Sequence, residues 1–364
     1  MGETVGNASL MSIPLFGVYM SPTVKESLLQ TLYSGYIGQG PVVEEFELGL
    51  KESWDLPSVP LATSSCTHAL DLAYHLCGIA EGSEVISTPM TCSATNIPLV
   101  NRGAKIVWAD VCPITGLISP EDVKSKITKE TKAIVAVDWA GRPCDYKRLK
   151  SFGVPVIQDA AHRLGGSSQH GDYVCWSFQA IKFLTTGDGG ALLVPGEQRD
   201  RAELLRWYGL DRKSSAQFRC EQNITEAGYK YHMNDIAATI GLENLSGAHE
   251  NCCRNMANAR MYSEAFIDSK IATPPMDANC SFWIYSIITG RREELQSYLK
   301  DVGIDSGSVH RRCDKHDVMI GDLRLKGVDY FDANQLCIPV GWWLSDSDLE
   351  YIVRSVRSFF GHRY

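Results

Sequence analysis

Lys182 stands in a stretch whose residue types fit covalent amine chemistry: Ser177-Phe178-Gln179-Ala180-Ile181-Lys182, followed by Phe183-Leu184-Thr185-Thr186-Gly187-Asp188-Gly189-Gly190. A hydroxyl precedes the lysine by five positions and a Gly-rich turn follows it. Upstream, the apolar run Val154-Pro155-Val156-Ile157-Gln158 reads as a strand that ends in Asp159-Ala160-Ala161-His162. An acid at a strand end, twenty-three residues ahead of a lysine in a tight turn, suits pyridoxal phosphate. The amine forms a Schiff base with the cofactor aldehyde, and the acid pairs with the protonated pyridine nitrogen so that the ring can accept electrons. An isolated lysine is ordinarily a solvated surface charge; the string around Lys182 sets it apart.

Three further pieces bear on the same cofactor. The small hydroxylated residues Thr63-Ser64-Ser65-Cys66-Thr67-His68 fall at a strand-to-helix junction, where free backbone N–H groups and the helix dipole make either a phosphate site or a plain N-cap. Asp159 is either the pyridine partner or a strand-end acid capping the next turn, and His162 either bonds the cofactor's phenolic oxygen or is a satisfied core histidine. The segment Gly228-Tyr229-Lys230-Tyr231-His232-Met233-Asn234-Asp235 precedes a helix and by itself reads as a capped loop. Gly187, Gly189 and Gly190 let the chain pass close to a bound group and reverse into the next strand.

The elements that must position these residues alternate. Short β-branched runs at 56–62, 84–88, 105–109, 133–137 and 154–158 interleave with helical spacing at 67–76, 96–102, 119–126 and 145–152. Strands at 175–178 and 190–194 flank the Lys182 turn. This alternation predicts an α/β fold with a parallel or mixed sheet covered by helices. Beyond about residue 199 the pattern changes to helices at 200–207, 234–245, 248–267, 293–302 and 345–359, with strand-like residues at 282–288. The expected division is a large cofactor-binding domain over 1–250 and a smaller α+β domain over 251–364.

With 364 residues, 44% hydrophobic and 21% charged, the chain is long enough for both. A net charge of −8 with no basic cluster argues against nucleic acid or anionic membrane as partners. No apolar run is long enough to span a membrane, and no secretory signal is visible at Met1-Gly2-Glu3, so a cytoplasmic location is expected. The twelve cysteines include no Cys-x-x-Cys pair, so no metal site is expected and the thiols read as reduced and mostly buried.

Together these strings resemble the DegT/StrS family of nucleotide-sugar aminotransferases, which are fold-type I pyridoxal-phosphate enzymes. The resemblance covers nearly the whole chain, from Gly35-Tyr36-Ile37-Gly38-Gln39-Gly40-Pro41-Val42-Val43-Glu44-Glu45-Phe46-Glu47 to Cys337-Ile338-Pro339-Val340-Gly341. It implies a seven-stranded type of sheet, and roles for named residues: Lys182 forms the Schiff base, Asp159 meets the pyridine nitrogen, and Ser177 with the backbone of Cys66 and Thr67 holds the phosphate. Thr91 and His162 join the cofactor site by the same resemblance. The 228–235 segment is similar to one that reaches into the neighbouring subunit's site, which implies a homodimer and a place for Lys230 on the cofactor. The implied reaction moves an amino group, from glutamate, to the 3- or 4-keto group of a nucleotide-linked deoxysugar. His310, Arg311, Arg312 and His316 are candidates for the substrate diphosphate, or else an ordinary solvated loop.

Three departures stand out. Where relatives have an aromatic stacked on the cofactor ring, this chain has Met90-Thr91-Cys92-Ser93; Lys230 replaces an asparagine, and His232 an arginine. Relatives that run a sugar deoxygenation carry histidine in place of the lysine, whereas Lys182 is present here. A regulatory relative that only binds cofactor or nucleotide sugar is the reading from another class.

Overall fold

The computed structural model describes residues 12–165, 171–214, 218–267, 271–319, 321 and 324–361. Two helices, α1 (Val24–Tyr33) and α2 (Pro41–Ser53), lead into the alternation β1 (Leu61–Thr63), α3 (Cys66–Leu76), β2 (Glu84–Ser87), α4 (Ser93–Asn101), β3 (Lys105–Trp108), α5 (Pro120–Lys126), β4 (Thr131–Val137), α6 (Tyr146–Lys150) and β5 (Val156–Asp159). Next come β6 (Tyr173–Ser177), β7 (Gly190–Leu193) and α7 (Arg199–Arg206), then the long α8 (Asp235–Phe266). The rest of the chain folds as β8 (Tyr285–Ile288), α9 (Arg292–Asp301), α10 (Lys326–Asn334), β9 (Gln335–Ile338) and α11 (Asp346–Phe359).

Among the described residues the first seven strands form one sheet in the order β1-β7-β6-β5-β4-β2-β3, with β8 and β9 forming a second, two-stranded one. The strands from β6 through β3 are parallel, and β7 runs antiparallel to both neighbours. Runs such as Ala133-Ile134-Val135-Ala136-Val137 are buried throughout, as a parallel sheet covered on both faces requires. This is the mixed α/β fold expected from the alternation. Register sets the site: Thr63 and Ser177 both pair with Gly190, so the carboxyl ends of β1 and β6 and the start of β7 lie level at one edge. Ligands in such sheets bind outside the carboxyl ends of the strands.

Several boundaries moved. The two helices expected at 234–245 and 248–267 are one, because Ser246-Gly247 stays helical. Gly247 serves proximity instead: a Cβ there would sit 2.3 Å from the Tyr19 hydroxyl. The expected strand at 282–288 shrinks to β8, since Phe282 adopts a φ of 49° and turns the chain before it. Helix α8 runs unbroken through residue 250, and its later turns enter a second core with Tyr285, Leu336 and Ile352. Asp235 at the start of α8 also accepts from the Gly40 and Val43 N–H groups, fixing the start of α2. No helix among the described residues is long and apolar enough to cross a membrane.

Candidate active site

Asp159 ends β5 and is buried. Its Oδ2 accepts from Thr95 Oγ1 at 2.7 Å and its Oδ1 from the Ala161 N–H at 3.0 Å. Thr95 shares a second 2.7 Å hydrogen bond with the Thr91 hydroxyl, so the threonines on either side of the α4 start form a relay that orients the acid. Burial pushes the Asp159 carboxyl above its ordinary range, while Thr95, the Ala161 N–H and the Lys182 charge pull it back. A buried carboxyl held in that balance is suited to a cationic or N–H partner.

Lys182 lies in the turn between β6 and β7, within electrostatic reach of Asp159. Burial brings its amine down to about 8, against the opposing influence of Asp159, Cys66 and Cys92. A lysine poised there exchanges protons near neutral pH far more readily than a surface lysine. Its Nζ sits 3.6 Å from the centroid of the Trp283 ring.

The edge where Thr63, Gly190 and Ser177 align is also where α3 begins. Ser65 caps that helix by accepting from the His68 N–H at 3.1 Å. Among the described residues nothing accepts from the N–H groups of Cys66 and Thr67, which leaves the first turn open to an anion. A side chain at position 190 would close this cradle, because its Cβ would stand 2.5 Å from the Cys66 nitrogen. Ser65 is thus the cap, and the next two N–H groups have no acceptor among the described residues.

His162 is buried and stacks on Trp283 at 4.0 Å and 22°. Burial first, then the Lys182 and His310 charges, drive its ring well below the ordinary imidazole range, so it stays neutral. Its Nε2 lies 3.4 Å from His310 Nε2, and its Nδ1 is a buried polar atom with no hydrogen-bond partner among the described residues. His310 is held down to about 4 by burial and by Lys182.

Other predicted residues fall elsewhere. Arg311 is exposed and donates to the Lys315 carbonyl, His316 is half-buried with no ring contact or side-chain bond among the described residues, and Arg312 is locked by Asp314 and Asp329 at 2.6–2.7 Å. Of that loop, only His310 touches the Lys182 group. Lys230 is exposed and pairs with Trp207 in an isolated antiparallel bridge, with no hydrogen bond or ion pair to Asp159 or Lys182 among the described residues. The neighbouring tyrosines explain the segment's pattern: Tyr231 stacks on His68 at 4.1 Å and donates to Asp71, and Tyr229 stacks on Tyr231 at 4.5 Å, bracing α3. At the ring-stacking position, Thr91 is buried and tied to Thr95, whereas half-buried Cys92 caps α4 and lies within electrostatic reach of Lys182.

Sequence reasoning missed Thr95 and Trp283. The spacing of four between Thr91 and Thr95 at a helix start could have revealed the first. A tryptophan in an apolar run gave no signal for the second, because only the tertiary fold brings it over Lys182.

A mostly parallel sheet with a buried acid and a lysine-bearing turn at its carboxyl edge defines a fold-type I pyridoxal-phosphate enzyme. The chain belongs to the DegT/DnrJ/EryC1/StrS aminotransferase family, which matches residues 19–357. It is similar to the crystal structure of AtS13 from Actinomadura melliaura, with 35% identity and a TM-score of 0.91 over 96% of this chain and 99% of that one. The sugar aminotransferase CalS13 from Micromonospora echinospora superposes with a TM-score of 0.90 at 32% identity, over 95% and 99% of the two chains. The spore coat polysaccharide biosynthesis protein SpsC of Bacillus subtilis is 29% identical over 95% of both chains. The family depends on pyridoxal phosphate. The residues present fit that group, with an open helix start beside a required glycine for a phosphate and a buried His162 Nδ1 that has no partner among the described residues.

Proposed function

We propose that this sugar aminotransferase moves an amino group from glutamate to the 3- or 4-keto group of a nucleotide-linked deoxysugar, in the cytoplasm, as a homodimer. The observation that carries the reading is the convergence of the Lys182 amine and the buried Asp159 carboxyl beside the open start of α3. When bound, pyridoxal phosphate supplies an aldehyde that condenses with amines and a ring that draws off electrons.

In this reading the chain's own residues divide the work. Ser177 and the N–H groups of Cys66 and Thr67 hold the phosphate. Asp159, oriented by Thr95 and through it by Thr91, keeps a proton on the pyridine nitrogen. Lys182 Nζ takes a proton from the donor's α-carbon and later gives one back. Its amine, brought down to about 8, is present in both protonation states near neutral pH. His162, neutral and buried, offers a ring nitrogen to the cofactor's phenolic oxygen. His310 faces the acceptor, while Arg311 and His316 flank the same loop as further substrate contacts.

The homodimer is supported by two features. Lys230 is exposed and has no ion pair or side-chain hydrogen bond among the described residues, which leaves it free to serve a second subunit's phosphate. Tyr33, Tyr36, Ile37 and Phe218 are exposed apolar side chains of the kind a second copy would cover.

The purified protein with pyridoxal phosphate is expected to be yellow, to bleach with glutamate, and to carry a pyridoxyl group on Lys182 after borohydride reduction. A panel of nucleotide-linked keto sugars then identifies the acceptor. Colour that no amino donor bleaches would overturn the transaminase reading in favour of a binding protein.

A further inference from the structure

Trp283 is held in place from every side. Its indole N–H donates to the Ile181 carbonyl at 2.9 Å, which ties the ring to the residue next to Lys182. Its backbone N–H donates to the Ala140 carbonyl at 3.0 Å. His162 stacks on it at 4.0 Å and Phe16 at 4.9 Å. The residue before it, Phe282, has a φ of 49°, and the residue after the Trp139 contact to His162, Ala140, has a φ of 59°. Backbone of that kind in non-glycine residues is kept only where the surroundings impose it.

The object of this arrangement is the Lys182 amine. Among the described residues no carboxylate lies within ion-pair distance of Nζ, and the group the nitrogen does touch is the Trp283 ring, 3.6 Å away. An aromatic face attracts an ammonium through its quadrupole and has far less hold on a neutral amine. The other titratable groups that face Lys182 are Asp159 at the end of β5, Cys66 at the start of α3, Cys92 at the cap of α4, and His162 and His310. Burial and the lysine itself keep both histidines neutral, so they do not repel the cation.

We propose that Trp283 is a positioning residue for Lys182: its ring is a perch that holds the protonated ε-amine inside the pocket and releases it when the proton leaves. The proposal deepens the function above and rests on it only in taking Lys182 as the reacting amine. A perch selective for the ammonium answers a need of any amine that must let go of one partner, carry a proton and take up another without swinging out to solvent.

The test uses the full chain freed of cofactor. Brief acetic anhydride pulses between pH 6 and 11, with the Lys182 peptide quantified by mass spectrometry, give the midpoint at which the amine becomes reactive. Trp283→Leu is expected to lower that midpoint by about 0.5–1 pH unit, because the cation loses its partner. Trp283→Phe, which keeps a π face, should recover most of the shift. An unchanged or raised midpoint in Trp283→Leu overturns the perch. Should the leucine variant not fold, fluorescence decides. The emission component absent from Trp283→Phe should titrate with the Lys182 midpoint in the wild type and not in Lys182→Met; titration in both would refute the contact. If the midpoint moves as expected but borohydride fixes nothing on Lys182, the perch stands and the aminotransferase reading falls.

Discussion

The two walls of the site are built on different principles. The wall from the large sheet consists of strand ends whose polar groups answer one another: Thr91 with Thr95, Thr95 and the Ala161 N–H with Asp159, Thr63 and Ser177 level with Gly190. The facing wall comes from 282–283 and 309–310. It holds Trp283 and His310 by ring contacts, behind Phe282 and Val309 at φ values of 49° and 64°. Sheet register fixes the first wall, and backbone strain overridden by packing fixes the second. The first wall presents fixed polar groups, and the second presents aromatic and imidazole rings over Lys182.

Removing the lysine breaks the contrast most severely. Lys182→Met should abolish transamination, by at least about 10³-fold, since nucleophile and proton carrier go together. Stability should move the opposite way. A lysine whose amine falls to about 8 in the folded state destabilises the cofactor-free protein at pH values below 8, where the unfolded chain binds the proton more readily. That penalty fades as pH rises from about 8 towards the ordinary lysine value of about 10.4. Cofactor-free Lys182→Met should therefore melt above the wild type at pH 7, with the gap narrowing towards pH 10. A variant that melts lower at pH 7 would show that the amine is not under strain.

Gly190→Ala attacks the strand-edge wall at its closest approach. With a Cβ 2.5 Å from the Cys66 nitrogen, the start of α3 must shift, and the anion cradle with it. Overpacking of this kind costs about 1–3 kcal/mol, so pyridoxal phosphate should bind roughly 10–100-fold more weakly by fluorescence titration. Unaltered affinity would move the phosphate to some other part of the pocket.

Thr95→Val is a finer probe of the same wall. It removes the 2.7 Å hydrogen bond to Asp159 and leaves the carboxylate buried with less support, a loss of about 1–3 kcal/mol. The carboxyl already stands above its ordinary range, so the variant should raise it further, and folding stability should drop more as pH rises through that titration. Turnover should fall about tenfold, with the acidic limb of the pH profile displaced upward. A profile that keeps its shape would mean Thr95 does not act through Asp159.

The same contrast governs how much could be read from residue order. Strand ends announce themselves: Asp159 follows an apolar run, Ser177 and Lys182 lead into a Gly-rich turn, and Ser65 precedes a helical period. Each local pattern has a local cause, and the mixed sheet follows from the alternation. The facing wall has no such pattern. Phe282-Trp283-Ile284-Tyr285 reads as continuous strand, and only contacts with Gly141 and Ala140, over a hundred residues earlier, bend it. In the 310–316 loop, charge alone cannot separate His310, which meets His162, from Arg312, which neutralises Asp314 and Asp329. The length of α8 was hidden because Gly247 looks like a helix stop until Tyr19 is seen lying against it.

The smallest expected effect bears on whether the second wall stores strain at all. Val309 is β-branched and sits at a φ of 64°, a conformation that clashes with its own side chain. Glycine adopts it freely but gives up more freedom on folding, about 0.5–1 kcal/mol relative to alanine. Relief of a strained residue is worth about 1–3 kcal/mol, so Val309→Gly should be neutral to stabilising by up to about 2 kcal/mol in chemical denaturation. The same change loosens the presentation of His310, so KM for the acceptor sugar should rise a fewfold while the half-reaction with the amino donor keeps its rate. If both halves slow together, His310 serves the cofactor side as much as the substrate side, and the division between the walls is less sharp than their construction implies.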